Sequence, residues 1–117
     1  MGRLTTHVLD TANGVPAGGM AIDLDRIDGG VAVRIASTRT NADGRTDAPM
    51  LADATFATGT YVLTFHVRDY FAARTGREDA SPFLDIVPIR FVIAEADKHY
   101  HVPLLVSPWS FSTYRGS

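Results

Sequence analysis

Alternation constrains this chain more than any other feature. In "MAIDLDRI" (20–27) Met20, Ile22 and Leu24 fall on one side and Asp23 and Asp25 on the other. A period of two suits a strand with one dry and one wet face, and cannot form the apolar stripe of a helix. The pattern recurs between clusters of turn residues. "LTTHVLDT" (4–11) reads as a first strand and closes on the turn cluster "ANGVPAGG". "VAVRIASTRT" (31–40) follows strand 20–27 across "DGG", which predicts a hairpin with Val31, Val33 and Ile35 inward. "NADGRTDAPM" is a loop with an Asp-Gly turn and a short edge strand after it. "GTYVLTFHVR" (59–68) is a strand with Leu63, Phe65 and Val67 on its apolar face. "DYFAARTG" (69–76) is the one short helix, with Asp69 capping its first turn and Gly76 just past its end. "IVPIRFVIAE" (86–95) belongs at a sheet edge, because Pro88 has no N–H to give a neighbour. "YHVPLLVS" (100–107) and "SFSTYR" (110–115) are the last two strands. Seven or eight short strands and one helix predict an all-β antiparallel sandwich of two sheets, and 117 residues predict a single domain over 1–117.

Composition excludes several function classes. Eleven basic against 13 acidic side chains, a formal net charge of -2, give no electrostatic case for nucleic acid or an anionic membrane. With no cysteine there is no disulfide scaffold, thiolate metal site or cysteine nucleophile. No apolar run approaches the about 20 residues a membrane helix needs. The start "MGRLTTHVLD" has no apolar signal region and the ending "RGS" is no peroxisomal address, so a cytoplasmic protein is expected.

The candidate chemistry rests on His7, His66, His99 and His101. Histidine titrates nearest neutrality, which suits proton transfer in either direction. Any one of them reads ordinarily as a surface or satisfied core residue; pairing separates two. By alternation His7 projects with Leu9, and His101 with Leu105, away from the apolar faces. If the first and seventh strands share a sheet, both imidazoles occupy its outer face. Leu9 and Leu105 on that face favour an oligomer, because a partner would cover them. "HYH" also admits a metal reading, with His99, His101 and His7 as ligands, although His99 is expected at the strand start, in solvent. His66 is read as an outward strand residue without a role. Arg45, after the Asp-Gly turn, is either a solvated turn residue or a rigidly held guanidinium for a planar anion or carbonyl. Tyr114 and Arg115 are either a strand end or a stacking wall with an anion contact, and Gly116 lets the backbone approach a ligand. "GxSxG", phosphate-binding Gly loops and "HExxH" are absent.

Three segments, "LTTHVLDTANGVPA", "TNADGRT" and "HYHVPLLVSPWSFSTYRGS", together resemble the 5-hydroxyisourate hydrolase family, transthyretin-related enzymes of urate breakdown. The likeness spans essentially the whole chain, and "YRGS" is its most specific part, since transthyretin ends differently. The resemblance implies a transthyretin-like sandwich of two four-stranded sheets with one short helix. It implies a homotetramer with active sites in clefts between dimers. The family's catalytic positions fall on His7, Arg45, His101 and Ser117; substrate contacts fall on His7, Arg45, Tyr114, Arg115 and Gly116. Phe111 stands where many members have tyrosine. The reaction implied is hydrolysis of 5-hydroxyisourate, with no cofactor and no metal. The competing expectation is a non-enzymatic transthyretin-like carrier of a small aromatic ligand.

Overall fold

Alternation becomes two stacked sheets in the computed structural model, which describes residues 2–117. In chain order the strands are β1 (Arg3–Asp10), β2 (Val15–Pro16), β3 (Ala21–Asp28), β4 (Val31–Arg39), β5 (Leu51–Ala52), β6 (Gly59–His66), β7 (Ile86–Ile93), β8 (His99–Val106) and β9 (Phe111–Thr113). The helix α1 (Val67–Thr75) follows β6 without a loop. One sheet has the order β2-β1-β8-β9, with β5 also on β1; the other runs β4-β3-β6-β7. Between them lie Leu4 and Val8 of β1, Ile22 and Leu24 of β3, Leu63 and Phe65 of β6, and Leu104 and Val106 of β8, all fully buried. No helix among the described residues is long and apolar enough to cross a membrane.

The sandwich is the expected one, with four differences of detail. The β1–β8 pair is parallel, from Arg3↔His99 to Asp10↔Val106, while the other strand pairs are antiparallel. Parallel neighbours need a long crossover, and here nearly the whole chain lies between them. Val31, Val33 and Ile35 are not buried in the core: they are 64%, 44% and 43% exposed on β4, the edge strand of its sheet, whose pairing with β3 is interrupted by a bulge at Leu24/Asp25. The helix starts at Val67, two residues before the expected place, so Asp69 lies inside its first turn rather than capping it. There the carboxylate still favours the positive end of the helix. The final strand covers only Phe111–Thr113, and "YR" leaves the sheet. Gly76 ends α1 as expected, at φ 71°, with its N–H on the Ala72 carbonyl. β7 is indeed an edge strand, with Pro88 on its length.

One polar group ties the helix to the first sheet. The Asp10 carboxylate is buried at the end of β1 and accepts from Tyr70 Oη at 2.8 Å, Asn13 Nδ2 at 2.7 Å and the Asn13 backbone N–H at 3.0 Å. Arg74 lies 3.7 Å from the same carboxylate. Burial, then the hydrogen bond to Asp10, pushes the Tyr70 hydroxyl up to about 12, so it stays a donor at any ordinary pH. Tyr70→Phe keeps the ring packing against Phe71 but removes a donor from a buried carboxylate. It should lower the unfolding free energy by about 1.5–3 kcal/mol, the range for hydrogen bonds to charged groups, read as a reduced urea midpoint with unchanged slope.

Candidate active site

Strand alternation sends Leu4, Thr6 and Val8 into the core, and therefore Thr5, His7 and Leu9 outward. On β8 the same rule buries Tyr100, Val102 and Leu104 and turns His99, His101 and Leu105 outward. The register sets Thr5 opposite His101 and His7 opposite Pro103. One outer face thus carries three imidazoles and a hydroxyl.

The free edge of β1 is divided among three segments. β5 pairs with Arg3 and Leu4, β2 with Leu9 and Asp10, and in the gap between them Arg45 forms a single rung opposite His7. The turn bearing Arg45 is built on Asn41, whose Oδ1 accepts from the N–H groups of Asp43 and Arg45 and whose own N–H reaches the Arg45 carbonyl at 2.7 Å. Gly44 has φ +75°, and its carbonyl receives the Val8 N–H at 2.8 Å. A Cβ there would collide with the Val8 carbonyl oxygen, so the close seating of this turn on β1 requires glycine.

The terminal segment is tied to β8 in the same manner. Gly116 and His101 exchange both backbone hydrogen bonds, at 2.7 and 3.1 Å, and the Gly116 Cα lies against the His101 ring. Arg45, His101 and Ser117 then line one cleft of about 340 Å³, together with Thr5, Asp47 and His99. His7 is not among its lining residues; it stands on the same outer face of β1, opposite Arg45. Its Nε2 is 2.9 Å from the Asp43 carbonyl, an acceptor only, so Nε2 carries the proton and neutral His7 has its lone pair on Nδ1.

Burial holds the His101 imidazole below the ordinary histidine value, and the charges of Arg45, His7 and His99 add to this. His101 is therefore neutral at neutral pH, ready to accept a proton. Its Nδ1 lies 2.8 Å from Thr5 Oγ1, and the same oxygen lies 2.9 Å from Nε2 of His99. His99, expected in solvent at the strand start, does begin β8 but is half-buried in the cleft, with its ring turned onto Thr5. His66 lies apart on the other sheet, with its Nε2 donating to Asp23 at 2.7 Å. Among the described residues no three His, Cys, Asp or Glu side chains are grouped to hold a metal ion.

Two of the expected site residues do not meet the others within the single chain. Tyr114 and Arg115 line a second cleft, of about 280 Å³, with Phe91 of β7 and Val102 of β8. Arg115 lies over the Tyr100 ring, 4.5 Å from its centroid, and donates to the His99 carbonyl at 3.2 Å; Tyr114 is 60% exposed. Conversely, Thr5 joins the cleft without having been expected there, and His99, weighed in the sequence only as a metal ligand or a solvated strand start, joins it too. Each stands two residues before a predicted site histidine, so period-two alternation was the signal that placed them on its face. A neutral imidazole, a guanidinium and a hydroxyl around one cleft can remove a proton from water and hold a developing oxyanion.

Residues 4–116 match the HIUase/Transthyretin family. A curated relative, 5-hydroxyisourate hydrolase 2 of Rhizobium meliloti, is 57% identical over 116 residues, covering 99% of this chain and 97% of its own. The solved structure of Klebsiella pneumoniae 5-hydroxyisourate hydrolase is 42% identical over the whole of both chains, with a TM-score of 0.81. A crystal structure of (S)-allantoin synthase is 50% identical at a TM-score of 0.91; it is matched by 99% of this chain, which spans 44% of that longer one. Sea bream transthyretin in complex with thyroxine is 28% identical at a TM-score of 0.86, over 97% of this chain and 94% of that one. With a family match over nearly its full length and relatives above half identity, the chain belongs to the HIUase/transthyretin family.

Proposed function

We propose that this protein hydrolyses 5-hydroxyisourate in the breakdown of urate, opening the six-membered ring at its lactam C–N bond to give 2-oxo-4-hydroxy-4-carboxy-5-ureidoimidazoline. The observation that carries the proposal is the cleft shared by Arg45, His101 and Ser117, in a chain 57% identical to a 5-hydroxyisourate hydrolase. Water oxygen bonds to the lactam carbonyl carbon while His101 takes the water proton on Nε2. The carbonyl oxygen gains negative charge, which the Arg45 guanidinium offsets. As the C–N bond breaks, the leaving nitrogen needs a proton; His7, entering the step as the imidazolium, supplies it from Nδ1–H and is left neutral with its Nε2–H still on the Asp43 carbonyl. Ser117 is a polar contact for the substrate, and Gly116 keeps the terminal segment close against His101. Arg115, stacked on Tyr100 and bonded to the His99 carbonyl, anchors that segment. The scheme uses no cofactor or metal.

The assembly proposed is a homotetramer in which facing dimers close the clefts. Leu9 and Leu105, both half-buried, continue the outer face beyond the polar cluster and supply apolar surface for that contact. Tyr114, exposed in the single protomer, belongs with the substrate contacts of the assembled site in this reading. Residues 1–117 form one domain, working in the cytoplasm. The carrier alternative is not favoured, since a carrier has no need of a proton-accepting histidine beside a guanidinium.

The direct test generates 5-hydroxyisourate with urate oxidase and follows its decay with and without the protein. A clear acceleration is expected, and decay at the spontaneous rate would overturn the proposal. His101→Ala and His7→Ala should each lower turnover by on the order of 10²–10⁴, the range for losing acid–base help. Near-wild-type turnover in either would remove that residue from the scheme. The pH profile gives an independent check. A base held below the ordinary value of 6.5 stays unprotonated as pH falls through 6.5. The acid limb of kcat/KM should therefore have its midpoint below 6.5. A midpoint at or above that value would argue against His101 as the base.

A further inference from the structure

We infer that Thr5 is a positioning residue: its hydroxyl joins His101 to His99 in one hydrogen-bond relay, which keeps the lone pair of His101 on Nε2 and gives the proton His101 gains a second imidazole to move to. The inference rests on the proposed role of His101 as the group that takes the water proton.

The geometry leaves little freedom. Thr5 Oγ1 is 2.8 Å from Nδ1 of His101 and 2.9 Å from Nε2 of His99, and it has one hydrogen to give. If Oγ1–H donates to His99 Nε2, the oxygen accepts from His101 Nδ1–H, and Nε2 of His101 is free to act as a base. If the chain runs the other way, His99 Nε2–H donates to Oγ1 and Oγ1–H donates to His101 Nδ1. Nε2 of His101 then carries a proton and cannot accept one. Only the first direction fits both before and after His101 is protonated, because both nitrogens of an imidazolium donate. No hydrogen bond has to reverse during the proton uptake.

The first direction also opens a route for the charge. After uptake at Nε2, the Nδ1–H proton passes to Oγ1 while the Oγ1–H proton passes to Nε2 of His99. One N–H and one O–H bond break, one O–H and one N–H bond form, and the positive charge moves from His101 to His99 without displacing a heavy atom. The supports are rigid. Thr5 and His101 are register partners on the β1–β8 ladder, and the His99 carbonyl is held by Arg115. The charged and titratable groups around the relay are Arg45, His7, Asp47 and the Ser117 terminus on the His101 side, and Arg3, the register partner of His99, with Arg115 on the His99 carbonyl; Arg45 and His7 both disfavour charge on His101.

The test compares Thr5→Val, which keeps the shape and strand propensity but loses the hydroxyl, with Thr5→Ser, which keeps the hydroxyl. Long-range 1H–15N spectra of the wild-type protein at pH 8 should show neutral His101 protonated on Nδ1, and in Thr5→Val on Nε2. Thr5→Val should lower kcat on the order of 10²-fold, the scale of a misplaced reacting group, with KM within about twofold. Thr5→Ser should recover most of the loss. Wild-type His101 protonated on Nε2 would overturn the inference. So would a Thr5→Ser loss as deep as that of Thr5→Val, which would mark a packing role. Full kcat in Thr5→Val alongside an inactive His101→Ala would overturn the relay alone, leaving the hydrolase proposal standing. Full kcat in His101→Ala would overturn both.

Discussion

The register of the parallel β1–β8 ladder is the constraint on which the site depends. Eight residue pairs, Arg3↔His99 to Asp10↔Val106, set Thr5 opposite His101 and bury Val8 with Leu104 behind them. A slip of one residue would turn Thr5 and His7 into the core and Leu4 and Val8 into solvent. Core burial therefore holds the hydroxyl and the imidazoles in register. Two glycines extend this control to parts outside the ladder. Gly44 allows the Arg45 turn to seat on the edge of β1, and Gly116 allows the terminal segment to lie flat on His101. Arg45 and Ser117 reach the cleft because the backbone near each of them is pinned to one of these two strands.

Much of this was legible in the sequence where a rule was local. Alternation assigned the correct faces of β1 and β8, including His7, His101 and the outward leucines, and Pro88 marked β7 as an edge. The same rule failed on β4. Val31, Val33 and Ile35 alternate as well as any residues in the chain, but an apolar face is buried only if something lies across it. Pattern reports which residues share a face, not what that face meets. The parallel pairing of the first and eighth strands was beyond local reading, because the partners stand at opposite ends of the chain. Thr5 was missed for the same reason, and His99, considered only as a metal ligand or a solvated strand start, was not linked to it. Each is ordinary in its own segment, and their contact exists only once the ladder is closed.

The family's two kinds of member differ on a common scaffold. The sandwich here superposes on sea bream transthyretin in complex with thyroxine at a TM-score of 0.86, with 28% identity, while the Klebsiella pneumoniae hydrolase shares 42%. Layered sheets tolerate such divergence, because a fold is no statement of chemistry. In this chain the imidazoles, the Thr5 hydroxyl and the Arg45 guanidinium are arrayed over one outer sheet surface.

The alternation of β1 has a consequence for how such a protein evolves. Residues at even positions, Leu4, Thr6, Val8 and Asp10, are buried, whereas Thr5, His7 and Leu9 at odd positions face the cleft side. Selection for folding and selection for chemistry therefore act on interleaved letters of one short word. A change at an odd position leaves the packed interior untouched, so new ligands and new reactions are accessible to this strand in single steps without first losing the sandwich.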